Sequence, residues 1–399
     1  MDESMKRRRV CSERRNEKSK EVSLSSGLLS LPDEVALNCL AHVSRLDLAA
    51  LAVASKCHRS LVVSPQLWDL RRFKGSTEPS LYVCLHILPE PNPRWFILNP
   101  MQRRLKPIRS NRYEEAQSLS SFVVIDWGIF IIGGIRNGEP TADVFFLDCF
   151  EHSWKRLQSM YVPRASATAC LIGKKIYVFG GCGDEADSFN WVEVFDLETQ
   201  TWEVLFVFTP KMPLNIEHSV VIDKELVYAV DDEGQDFSFS PSKRLFWTSG
   251  MTDSKPGHRS DCDWCVIGKL LFCRGTRGRI LWCDPEDGFD WEEVKGLEDF
   301  QDSFCGSVQP WGLGKTKVQY DINKFCTDPA GNIVIFWNNP DSLELWSAVI
   351  SLKSCNGGGE IKGILNGPVL SSNLILSQSR HIALMSYILL MSMPEILKY

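Results

Sequence analysis

Histidine is scarce. The 399 residues hold seven, at 42, 58, 86, 152, 218, 258 and 381, and no two of them fall in an H-x-x-x-H or H-E-x-x-H spacing. The common helical zinc-hydrolase motifs are therefore missing. No stretch reaches the ~20 mostly apolar residues that cross a bilayer as a helix. The longest apolar run near the end, "HIALMSYILLMSM" (His381–Met393), reads instead as a buried strand or strand pair. An N-terminal apolar signal segment is also lacking: the chain opens Met1-Asp2-Glu3 and turns basic. Net charge is only −6, so the surface as a whole does not advertise nucleic-acid binding. The fourteen cysteines are scattered rather than framed, which fits an intracellular, reducing compartment (cytoplasm, nucleus or both) with thiols unpaired. Cys262 and Cys265 form a C-x-x-C with no matching second pair, so packing is their expected role rather than zinc binding. "GGGEIKG" (Gly357–Gly363) lacks the Lys-Ser/Thr of a phosphate loop and reads as a turn. No cofactor, metal site or catalytic residue is expected.

What is present divides into regions. Residues 1–27 are polar and basic, with Lys6-Arg7-Arg8-Arg9, Arg14-Arg15 and Lys18 and almost nothing to build a core, so disorder is expected. This tail reads equally as a nuclear-import signal or a solubilising extension. Residues 28–73 read as three short helices. Pro32 with Asp33 and Glu34 suits a helix start, and Val35, Cys39 and Val43 make an i, i+4, i+8 stripe joined by Leu40. Asp47 is the expected cap of the second helix and Ser64, followed by Pro65, of the third. So small a helical unit buries little core alone and calls for a partner surface. Residues 74–93 read as a linker and 394–399 as a tail. From 94 to 393 helical periodicity gives way to short strands and turns.

A phrase recurs in that last region. "FVVIDWGIFIIGG" ends on Gly133-Gly134 and "ACLIGKKIYVFGG" ends on Gly180-Gly181, 47 positions later. "VVIDKELVYAVDD", "DWCVIGKLLFCRG" and "TDPAGNIVIFWNN" are weaker copies. A second element follows the first four, a turn and then Trp154, Trp202, Trp247 or Trp291, at steps of 48, 45 and 44 residues. The turn residue, Asp148, Asp196, Pro241 or Asp284, precedes its Trp by six, six, six and seven positions. Each unit thus holds four short antiparallel strands in ~45 residues, the length and pattern of a propeller blade. Gly-Gly suits a crowded bend, and the Trp ring suits packing between neighbouring sheets. "FILNPMQRRLKPI" (Phe96–Ile108) looks like half a blade, so strands at 374–393 are expected to complete it and close six blades into a ring.

Leu31–Trp68 resembles an F-box, and the Gly-Gly and Trp repeats resemble kelch motifs. In that order, over residues 28 to 375, the chain resembles the plant F-box/kelch-repeat proteins. The resemblance implies a small all-α F-box followed by an all-β kelch propeller of about six four-stranded blades. It further implies a non-catalytic receptor subunit of an SCF-type ubiquitin ligase. The F-box would dock on a Skp-type adaptor, and through it a cullin, while the propeller captures a protein substrate. Carried over by position, Leu31, Pro32, Val35, Leu40, Leu48, Val53, Pro65, Leu67 and Trp68 match the family's adaptor-binding pattern, with Leu31, Pro32 and Leu48 as direct contacts. Cys57-His58 departs from it, as do the weaker repeats without Gly-Gly. A kelch scaffold outside any ligase, and a propeller enzyme, are the competing readings. For substrate contact the sequence offers Arg164 at a blade start, Asp184 and Glu185 in an acidic loop, and Trp311 in the long insert 299–320, because long loops in compact folds tend to be functional.

Overall fold

The structure is a computed structural model. It describes residues 27–74, 76, 80–88, 94–99, 104–108, 119–125, 127–149, 153–183, 189–207, 216–223, 225–231, 235–251, 264–285, 290–302, 305–308, 316–319, 322–328, 331–339, 344–355, 359–366, 370–372 and 381–391. The basic tail lies outside the described residues. The chain divides into two compact units near residue 78.

The first unit is helical. After a 3-10 turn at Leu28–Ser30 come α1 (Asp33–Leu40), α2 (Arg45–Ala54), α3 (Lys56–Val62) and α4 (Pro65–Phe73). The middle helix expected from the sequence is thus two. Ser55 adopts φ −158° and ψ 164°, which ends α2, and its Oγ accepts the His58 N–H to start α3. The cap of α2 is Ser44 rather than Asp47: Ser44 Oγ accepts the Asp47 N–H at 3.1 Å and donates to the Asp47 carboxylate at 2.7 Å. Ser64 caps α4 as expected, accepting the Leu67 N–H at 3.3 Å. Leu40, Ala41, Leu48, Val62 and Leu67 form the core.

The second unit is a six-bladed β-propeller of four-stranded antiparallel sheets. Blade 1 combines Ser80–Leu88, Arg94–Asn99 and Arg104–Pro107 with the far end of the chain, His381–Met391. Blade 2 holds Ser121–Ile125, Gly128–Ile132, Val144–Asp148 and Ser153–Arg156, with a small hairpin of Ile135–Arg136 and Glu139–Pro140 between its second and third strands. Blade 3 holds Thr168–Ile172, Lys175–Phe179, Val192–Asp196 and Thr201–Leu205. Blade 4 runs Ile216–Ile222, Leu226–Asp231, Gln235–Ser240 and Leu245–Met251; blade 5 runs Trp264–Ile267, Leu270–Arg274, Ile280–Cys283 and Glu292–Glu293. Blade 6 holds Lys324–Thr327, Ile333–Asn339, Glu344–Cys355 and Glu360–Leu365, with Leu370–Ser372 on the free half of its long third strand. The insert before it forms a short helix, Glu298–Asp302, and a separate hairpin of Cys305–Val308 and Thr316–Gln319.

Two sequence expectations change here. Ser80–Leu88, read as linker, is a strand of blade 1 paired with Arg94–Asn99. The C-terminus therefore supplies one strand of that blade, not its whole first half. His381–Met391 runs antiparallel to Ser80–Leu88 from Ser80↔Met391 to Leu88↔His381. The leading strands of blades 2 to 6 neighbour one another in turn, and His381–Met391 lies between those of blades 6 and 2. The cycle is closed, which removes the two sheet edges an open array would present.

Breaking that ladder alone tests the closure. In an antiparallel edge strand every second N–H faces the neighbouring strand, so of Ile388→Pro and Leu389→Pro, made singly, one removes a donor from the ladder with Ser80–Leu88 and the other does not. The disruptive one should lower ring stability by about 1–3 kcal/mol in urea unfolding of the full chain, and the other by much less.

Candidate functional site

In the helical unit the sequence-matched residues separate by exposure. Leu40, Leu48 and Leu67 are at most 2% exposed and hold the helices together. Leu48, expected at the adaptor surface, has no face to offer there. Leu31, Pro32, Val35, Val53 and Pro65 are exposed, with Val35 at 45% and Val53 at 77%. Val63 and Phe73, not singled out from sequence, are exposed too. Trp68 is half-buried; its Nε1 donates to the Val62 carbonyl at 3.1 Å and its ring lies 5.6 Å from the Arg71 guanidinium.

Arg71 explains why this small unit holds its shape. It is 1% exposed, and its Nη1 donates to the carbonyls of Leu40, Ala41 and Val43 while Nη2 donates to Ser76 at 2.8 Å. A cation on the last carbonyls of α1 satisfies orphan acceptors and opposes the negative end of the helix dipole. Periodicity marks Arg71 only as a polar residue on the last helix and does not single it out.

In the ring, the two glycine pairs close on the segment that joins blade 2 to blade 3. Gly133 has φ +62°, and a Cβ there would sit 2.4 Å from the Arg164 carbonyl oxygen. Gly134 N–H donates to that same oxygen at 2.8 Å. Gly181 has φ +66°, and a Cβ would meet the Ala165 oxygen at 2.6 Å. Gly180 N–H donates to the Trp191 carbonyl at 3.1 Å. The two pairs thus flank one segment, residues 164–167, which runs from blade 2 into blade 3.

Arg164 belongs to this seam and not to a substrate surface. It is fully buried. Its guanidinium donates to Glu193 at 3.1 Å and to the carbonyls of Gly180 (2.7 Å), Trp191 (3.1 Å) and Asn190. Glu193, equally buried, accepts the N–H groups of Tyr161 and Val162 with its remaining capacity. A charge taken so far out of water persists only when paired and fully hydrogen-bonded, which leaves it nothing to offer a ligand.

The aromatic positions hold with one correction. Trp154 packs 6.3 Å from Trp95 of blade 1, and Trp202 packs 5.0 Å from Phe195 while its Nε1 donates to the Gln158 carbonyl at 2.8 Å. Trp291 lies 5.5 Å from Trp264 in a cluster shared with blade 4. In blade 4 the equivalent ring is Phe246, not Trp247. Leu147↔Trp154, Phe195↔Trp202 and Phe239↔Phe246 are matching register pairs. Phe246 is 1% exposed and 4.8 Å from Trp191 of blade 3. The turn is counted from Ser240, not Pro241, and a one-residue slip in a strand moves a side chain to the other face.

Asp184, Glu185 and Trp311 lie outside the described residues. Cys265 is half-buried against the core of blades 5 and 6, in keeping with packing. Burial pushes the Cys170 and Cys283 thiols up to about 12 and raises Cys84 as well, so these cysteines stay protonated and unreactive at neutral pH. Among the described residues no group of three or more His, Cys, Asp or Glu is placed to hold a metal ion, and no helix is long and apolar enough to cross a membrane.

Removing the Glu193 carboxylate strands the Arg164 charge. Glu193→Ala should cost about 3–5 kcal/mol of ring stability, read as a fall in the denaturant midpoint, because an uncompensated buried cation remains.

Comparison with known proteins follows these two units. The F-box domain family model matches residues 28–70, and the FKB95 kelch-repeats domain model matches residues 92–366. F-box/kelch-repeat protein At4g33900 of Arabidopsis thaliana is 31% identical over 84% of this chain and 89% of its own length. F-box/kelch-repeat protein At4g39580 of the same plant is 36% identical over 70% of this chain and 75% of its own. The capped helices with their sealed leucine core and the closed six-bladed ring with its Gly-Gly seam are therefore the two parts of a member of the F-box/kelch-repeat family.

Proposed function

We propose that this chain is a substrate-receptor subunit of an SCF-type ubiquitin ligase. The helical unit docks on a Skp-type adaptor, and through it a cullin, and the propeller captures a protein substrate. The observation that carries this reading is the split within the helical unit. Leu40, Leu48 and Leu67 seal a core, yet Leu31, Val35, Val53 and Val63 remain 39–77% exposed. In so small a unit, four large apolar residues left to solvent suit a protein interface. The role is non-catalytic. Holding a substrate near an activated ubiquitin raises the effective concentration of its lysines. Such complexes act in the cytoplasm or nucleus, and the basic tail suits nuclear entry.

Binding of a purified Skp-type adaptor to the full chain tests the reading. Leu31→Ala/Pro32→Ala should weaken binding about 30-fold without unfolding the chain, since both side chains are exposed. Leu48→Ala should instead lower stability by about 2–5 kcal/mol, as a buried leucine does. A folded wild type that does not bind the adaptor would overturn the ligase role and leave a kelch scaffold.

A further inference from the structure

On the face of the ring where the Gly-Gly seams lie, blades 2 and 3 present two features that neither the fold nor adaptor docking uses. The first is a pair of arginines on one carboxylate. Arg136, in the small hairpin of blade 2, donates to Asp143 Oδ2 at 2.8 Å, and Arg156, at the end of that blade's outer strand, donates to Asp143 Oδ1 at 2.5 Å. Asp143 is buried, whereas the two arginine side chains are 50% and 61% exposed. Gripping the two oxygens of one carboxylate holds the guanidiniums side by side, and each keeps most of its five N–H donors for another acceptor. Glu139 stands opposite Arg136 in the hairpin without pairing to either arginine.

The second feature is apolar. Tyr161 is 61% exposed, Phe189 69%, and Val204 and Phe206 44% each. They connect to the arginines through short links. Met160 N–H donates to the Ala142 carbonyl at 3.0 Å, which sets Tyr161 beside Asp143. The Tyr161 hydroxyl donates to the Trp202 carbonyl at 3.0 Å, at the head of the strand that carries Val204. Phe206 follows that strand, and its ring centroid lies 5.1 Å from that of Phe189. Single exposed apolar residues are ordinary, but four joined in one strip beside a cationic clamp are not.

We propose that this strip docks an extended acidic segment of a partner protein. An Asp or Glu carboxylate takes the open donors of Arg136 and Arg156, and neighbouring apolar side chains lie on Tyr161, Val204, Phe206 and Phe189. The two guanidiniums bond to one buried carboxylate and leave Glu139 unengaged, so their remaining donors suit a further carboxylate. The inference rests on the receptor reading and names the substrate class for it.

The test is selection of displayed random 12-residue peptides on the full chain, followed by titration of the enriched peptides and, in parallel, of the Skp-type adaptor. Enriched peptides should carry Asp or Glu near aromatic or aliphatic residues. Arg136→Gln and Arg156→Gln, made singly so that Asp143 keeps one partner, should each weaken them about tenfold, as should Phe206→Ser. Adaptor binding should be unchanged in all three. Enriched peptides without acidic bias, or peptides that bind the variants as they bind wild type, would overturn the proposal. So would self-association of the wild type that Phe206→Ser abolishes, because a second copy would then cover the strip. Loss of the peptide result with adaptor binding intact counts against the docking strip alone. Absence of adaptor binding counts against the ligase role alone.

Discussion

The ring depends on one backbone ladder, the pairing of Ser80–Leu88 with His381–Met391. Each blade buries its faces against its neighbours, so every blade relies on there being no first and no last one. The blade 1 cluster shows the connection. Tyr82 and Trp95 pack with Ile129, Ile131 and Phe145 of blade 2, and the Tyr82 hydroxyl donates to the Cys149 carbonyl at 3.0 Å. Blade 1 in turn is complete only when a strand from the far end of the chain joins it. The closing contacts span about three hundred residues, so loop-closure entropy opposes them until the other blades are in place.

Between blades, buried polar groups set geometry as firmly as apolar area does. Arg164 and Glu193 fix the carbonyls around the Gly180-Gly181 bend, and Gly133-Gly134 accept close approach from the Arg164 backbone. Where glycine is missing, other polar groups take over. In blade 5 Arg274 reaches the Ile322 carbonyl of the segment leading into blade 6, and within blade 4 Asp231 accepts the Gln235 N–H at 2.7 Å. The helical unit repeats the device with Arg71 on the end of α1. Rigid seams of this kind leave the loops and rims of the ring free to differ, which is where the proposed receptor role would need it.

Much of this was legible in the residues, and the misses have physical causes. Gly-Gly and the Trp spacing revealed the blades because a crowded bend and a large inter-sheet ring each admit few residue types. Trp247 misled because the strand period is two, and a turn counted one residue late moves the ring to the wrong face. Ser80–Leu88 reads as linker although seven of its nine residues, Leu81 to Leu85 with Ile87 and Leu88, are apolar; with no copy of the repeat before it, a lone apolar run does not declare its partner. Ser44 and Ser55 were hidden by plausible alternatives, Asp47 for the first and an unbroken helical pattern for the second. Leu48 and Leu31 look alike in sequence, and only the fold separates a core leucine from an exposed one. Arg164 was the largest reversal, since a charged residue at a blade start reads as surface until its partner, 29 residues on, is placed beside it.

In the proposed role the two units carry different tasks: the helices would meet the ligase and the ring the substrate. Hydrogen exchange on the full chain, with and without a Skp-type adaptor, tests that division most directly. Slowed exchange confined to the segments around Leu31–Val35 and Val63–Trp68, with the blade strands unchanged, is the expected result. Slowed exchange centred on the blades, or none in the helices at saturating adaptor, would contradict it.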